Sequence, residues 1–72
     1  MDIAQYHKLK VGTIVLSKWG ELFEIIEDVE EGKIESFRKA RSLSDEERSG
    51  YLSTEDVAKV IKSKVELAAY LV

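Results

Sequence analysis

Few side chains in this chain could move a proton, attack a substrate or hold an ion, and their spacing suits none of those tasks. His7 is the only group whose ordinary pKa lies near neutrality. Its nearest carboxylate in sequence is Asp2, on a terminal segment expected to be mobile, so His7 reads as a solvated surface residue. No serine sits in a G-x-S-x-G elbow. The glycines at 12, 20, 32 and 50 are too dispersed for a phosphate loop or a dinucleotide fingerprint. The acidic run Glu27-Asp28-Val29-Glu30-Glu31-Gly32 lacks the alternating oxygen ligands of a calcium loop. One histidine and no cysteine argue against a tetrahedral zinc site. The expectation is a chain with no catalytic residues, no cofactor and no metal.

Binding chemistry is better represented. Trp19 stands at an expected turn between Lys18 and Glu21, where a large aromatic is unusual. It either caps the open end of a curled sheet or anchors an interface, since tryptophan is enriched among binding hot spots. Glu27, Asp28, Glu30 and Glu31 form an acidic ridge that would steer a basic partner, such as a nucleic-acid-binding protein. Lys33, Arg38, Lys39 and Arg41, with Phe37 among them, instead resemble a basic strand on which a nucleic acid could stack. The glutamates of the preceding strand should pair directly with that strand and neutralise it. A protein partner is therefore the leading expectation, direct nucleic-acid binding the alternative, and a structural oligomeric building block the third reading.

Charge follows the same blocks. The net charge is −3, but residues 21–35 carry an acidic excess and residues 36–42 a basic one. Such blocks attract one another across neighbouring strands and mildly disfavour non-specific binding to phosphate. Asparagine is absent, glutamine occurs once, and Glu, Lys and branched aliphatics are abundant, the direction of a heat-adapted proteome. Met1-Asp2-Ile3-Ala4-Gln5 lacks the basic and apolar pattern of a signal peptide. No apolar run approaches the ~20 residues of a membrane span, so the cytoplasm is the expected compartment.

The elements that must position these residues read as one small domain over 1–72, of class α+β. Residues 11–18, rich in β-branched side chains, predict a strand. Lys18-Trp19-Gly20 predicts a tight turn in which Gly20 takes positive φ. Residues 21–29 predict a second strand, Glu30-Glu31-Gly32-Lys33 a second turn, and residues 34–43 a third, more charged strand. Together they make a three-stranded antiparallel meander with apolar residues on both faces, which must curl or be covered on both sides. Residues 44–50 read as irregular, and Tyr51-Leu52 as a small apolar anchor.

Ser53-Thr54-Glu55-Asp56 reads as a helix N-cap, and residues 54–70 predict one amphipathic C-terminal helix. Its apolar arc is wider than the ~100° stripe of a helix lying on one sheet. Val60, Leu67 and Leu71, with Lys64 at the seam, would form a second contact, expected to support a homodimer; the alternative is that the N-terminal Ile3, Tyr6 and Leu9 fold over it.

Lys8-Leu9-Lys10-Val11-Gly12-Thr13-Ile14-Val15, followed by Gly20-Glu21-Leu22-Phe23-Glu24-Ile25-Ile26, resembles the opening hairpin of SH3-like small barrels. The likeness spans residues 8 to 43 and implies a curled meander with a binding role, without specifying a ligand. A long C-terminal helix would depart from the simplest such barrel. A short acidic chain of this type also resembles, in kind alone, the virus-encoded or accessory inhibitors and adaptors that bind a host protein.

Overall fold

A computed structural model describes residues 2–29 and 37–70. Five antiparallel strands form one open sheet: β1 (Ile14–Ser17), β2 (Leu22–Ile25), β3 (Phe37–Ser42), β4 (Ser49–Ser53) and β5 (Val57–Ile61), in the order β4-β3-β2-β1-β5. A short helix, α1 (Ile3–Tyr6), precedes the sheet, a 3-10 turn (Thr54–Asp56) joins β4 to β5, and α2 (Lys64–Tyr70) follows.

The expected three-stranded meander with one long terminal helix is therefore overturned. Its three strands are present, each shorter than expected, but two more flank them. Val57–Ile61, expected to be the middle of a helix, is a strand whose Ile61, Val60 and Lys59 lie opposite Ile14, Val15 and Leu16. The apolar side chains of this segment fit a helical spacing and a strand equally, because a short apolar run carries both periods. The edge of β1 decides between them. Left unpaired, β1 would expose a row of backbone donors and acceptors, and Val57, Val60 and Ile61 are the β-branched residues that suit a pleated surface. Ser53 still begins a helical turn, its N–H donating to Asp56 Oδ2 at 2.9 Å, but the turn stops after Asp56. That bond, and then Lys18, hold the Asp56 carboxyl below its usual pKa. The expected turn at 30–33 lies outside the described residues.

Register assigns the faces. Val15, Phe23 and Ile25 share one face with Ala40 and Leu52, and these residues are buried with Tyr6 and Val57 as the core. The terminal segment, expected to be mobile, supplies the lid of this core. Asp2 caps α1 by accepting from Ala4 N–H at 2.9 Å. Tyr6 then points inward with no exposed surface, and its hydroxyl donates to Leu52 O at 2.6 Å. His7, expected in solvent, is half-buried at the end of this helix.

The opposite face carries Ile14, Leu16, Leu22 and Ile61, and α2 crosses this side of the sheet. Lys59 Nζ lies 2.5 Å from Glu66 Oε1, and Leu67 lines a groove with Ile14 and Ile61. Among the described residues, no helix is long and apolar enough to cross a membrane.

The Lys59 ammonium and the Lys62 N–H hold the Glu66 carboxyl below its usual value of 4.5, and Glu66 in turn raises Lys59. The docking they provide is complete above about pH 4.5 and is lost as pH falls through the lowered Glu66 value. Hydrogen exchange should accordingly show α2 amides losing protection in acid before the sheet does. Glu66→Gln should produce the same loss at neutral pH with the sheet amides unchanged. Equal protection of α2 in both proteins would show that this pair does not hold the helix.

Candidate functional site

The Ser17-to-Glu21 turn fixes Trp19. Ser17 N–H donates to Glu21 O at 2.8 Å, and the buried Ser17 hydroxyl accepts from Glu21 N–H at 3.1 Å. Gly20 closes the loop at φ 85°, a conformation an L side chain strains to adopt. Trp19 is left at the tip, 60% exposed, with Lys18 Nζ 5.1 Å from its ring centroid. Lys18 also meets Asp56 at 3.3 Å, so the cation over the ring is tied to the 3-10 turn.

Two further aromatics are more than half exposed. Tyr51 is 65% and Phe37 54% exposed. Tyr51 lies opposite Lys39, and Phe37 is two residues before Lys39 on the same strand face. A groove of about 190 Å³ runs between Trp19 and Tyr51, with Phe23 and Arg48 in its walls. A second groove, of about 440 Å³, is lined by Tyr51, Phe37, Glu27, Asp28 and Lys39. Tyr51 is thus the shared wall of both. A third groove, of about 350 Å³, lies between Trp19, Leu22, Leu43 and Tyr70. Trp19 lines both the first and the third of these grooves.

The acidic ridge is only partly visible. Glu27 and Asp28 lie on the second groove, and Glu27 pairs with Lys39 at 3.4 Å. Glu30 and Glu31 lie outside the described residues.

The basic strand is not a free cationic surface. Arg38 is 2% exposed, with Nη1 donating to Tyr6 O at 2.8 Å and Nη2 to Glu27 O at 2.9 Å. It clamps the end of α1 to the end of β2 and cannot meet a phosphate. Strand alternation is the reason: Arg38, Ala40 and Ser42 face inward, so every second residue of a polar-looking strand is enclosed. Arg41 meets Glu24 at 3.8 Å, and Lys39 meets Glu27. Lys33 lies outside the described residues.

The expected self-association surface also comes apart. Val60 packs against the core from β5, Lys64 begins α2, and Leu67 lies half-buried in the groove over Ile14. Leu71 lies outside the described residues. Val60 and Leu67 belong to a strand and a helix on opposite faces, so the wide apolar arc that motivated a dimer does not exist as one surface.

Sequence reasoning passed over Tyr51, taking it with Leu52 as an apolar anchor. Alternation separates them: Leu52 is buried and Tyr51 stands out. The signal lay in Tyr51-Leu52-Ser53 read with period two. Among the described residues, no group of three His, Cys, Asp or Glu could hold a metal ion. Comparison with protein families, with curated proteins and with solved structures gives no match to this chain.

Proposed function

We propose that this chain is a non-enzymatic protein-interaction module that reads its partner along Trp19, Tyr51 and Phe37, with a cationic side chain of the partner entering the groove between Phe37 and Tyr51. One observation carries this reading: Tyr51 lines two grooves, each with a second exposed aromatic, and carboxylates stand at one of them. Exposed aromatics give large contact area at small cost in side-chain entropy. A cation between two rings gains from their faces, and Asp28, which has no cationic partner among the described residues, supplies the opposite charge. The resemblance of residues 8 to 43 to the opening of SH3-like small barrels implies a binding role of the same kind.

The test is selection of random displayed peptides on the immobilised domain. The selected peptides should be enriched in arginine or lysine and should change Trp19 fluorescence. Tyr51→Ala and Asp28→Lys should each weaken the selected peptide by about tenfold, as loss of an anchor does. A dT12 oligonucleotide serves as the competing probe. If it binds at about 50 mM salt, weakens steeply by about 200 mM, and no basic peptide is enriched, the domain is a nucleic-acid binder and the proposal fails.

A further inference from the structure

Charge pairing is uneven across the molecule. Lys18, Lys39, Arg41, Arg48 and Lys59 each meet a carboxylate, and Arg38 is buried. Lys8, Lys10, Lys62 and Lys64 are exposed and meet no carboxylate among the described residues. Two of these unpaired lysines, Lys62 and Lys64, line the grooves beside β5. The larger, about 690 Å³, has Leu9, Ala58, Val60 and Lys62 among its walls, together with Gln5, Lys59 and Glu66. Lys8 and Lys10 flank Leu9 in sequence. Lys62 also lines the adjoining groove of about 370 Å³, together with Lys64 and Leu67.

That groove follows a free sheet edge. β5 is the last strand of the sheet, paired on one side only. The ladder fixes which backbone groups face outward. Ser17 N–H donates toward β2, to Glu21 O, whereas Lys18 N–H donates toward β5, to Asp56 O. Backbone groups alternate sides along a strand, so Ile14 and Leu16 bond toward Ile61 and Lys59, their register partners. Val60, between them, turns its N–H and C=O away from β1 into the groove. The Lys62 N–H is already given to Glu66 Oε2 at 3.4 Å, so the backbone pair open on this edge is that of Val60. An apolar floor, an open backbone pair and a lysine at the rim are what an added strand requires.

We infer that the β5 edge, between α1 and α2, takes an extended acidic segment of a partner protein as a sixth strand, with apolar side chains over Leu9 and Val60 and acidic ones toward Lys62 and Lys64. Two observations select this occupant. Lysines on an edge repel a second copy of the same edge while attracting an acidic strand. This groove also has no exposed aromatic in its lining on which a nucleic-acid base could stack. The surface is separate from the Trp19–Tyr51–Phe37 row, and neither reading depends on the other.

The probe is an N-acetylated hexapeptide, Asp-Val-Asp-Val-Asp-Val, titrated into the isotope-labelled domain to about 1 mM, a range that detects weak binding. Amide shifts should centre on Val60 and its neighbours Ala58 and Lys59. N-methylation at alternate peptide residues, which leaves every charge in place, should abolish the shifts. The double variant Lys62→Gln with Lys64→Gln should bind about tenfold more weakly while keeping its urea midpoint, because both side chains are exposed. No shift at the highest concentration, unchanged binding of the methylated peptide, or shifts confined to Trp19 and Tyr51 would each overturn the inference. So would tighter binding of dT12 than of the peptide at equal salt, or sedimentation showing that the domain alone occupies this edge with a second copy.

Discussion

Arg38→Ala should leave most of the protein unfolded at room temperature. The guanidinium donates to two backbone carbonyls from a site with 2% exposure, and such charge-assisted bonds contribute about 1.5–3 kcal/mol each. Tyr6 O keeps a second donor, Leu9 N–H at 3.2 Å, but Glu27 O loses the guanidinium. A loss of about 3–5 kcal/mol is expected, against a total of similar size for a core this small. Urea melts followed by far-UV circular dichroism measure it. Arg38→Lys should rescue little, because an ammonium lacks the planar fork that reaches both carbonyls. Arg41→Ala, three residues on and exposed, should stay within about 0.5 kcal/mol of the parent. If Arg38→Ala kept the parent's midpoint, the guanidinium would not be structural, and a ligand-binding role for it would return.

The second large effect is alkaline. Burial pushes the Tyr6 phenol up from 10.0 to about 12, the nearby Arg38 charge opposing this only in part. A raised acid pKa means that the folded protein holds its proton where the unfolded chain has released it. The stability linked to this group is therefore complete below pH 10 and is lost as pH rises to about 12. At about 1.4 kcal/mol for each pH unit separating the folded and unfolded values, the loss is on the order of 3 kcal/mol. Urea midpoints at pH 8 and above pH 11 should differ accordingly in the parent. Tyr6→Phe should lose about 1–2 kcal/mol at pH 8, from the missing hydroxyl bond to Leu52 O, and then show little further loss in alkali. A parent whose stability is flat across this range would mean that Tyr6 is not enclosed. Because Arg38 binds the carbonyl of Tyr6, the two substitutions share a partner and should not add.

Both effects act on the same joint, where α1 meets the sheet, and that joint was the least legible part of the chain. Ile3-Ala4-Gln5-Tyr6 is too short for a helical period to show, and nothing local indicates that Tyr6 reaches a carbonyl 46 residues away. Arg38 was legible as charge but not as a buried clamp, since only the inward phase of β3 distinguishes it from Lys39 and Arg41. The Ser17-to-Glu21 turn, by contrast, was readable in its position and in the positive φ of Gly20, though not in the exposure of Trp19. Its glycine and its flanking strands depend on neighbours within a few residues.

By itself, then, the sequence determined the local features: where β1, β2 and β3 run, where Gly20 turns the chain, and that the glutamates of the second strand would meet the cations of the third. Glu24 with Arg41 and Glu27 with Lys39 realise that last expectation. Tertiary structure decided what Val57–Ile61 became, because that segment satisfies a helix and a strand alike and only the open edge of β1 discriminates between them. It also decided which of two neighbouring residues faces outward, Tyr51 rather than Leu52 and Lys39 rather than Arg38. The physical reason is the same in each case: periodicity and turn chemistry are set by near neighbours, whereas pairing and burial are set by whichever distant surface is left without a partner.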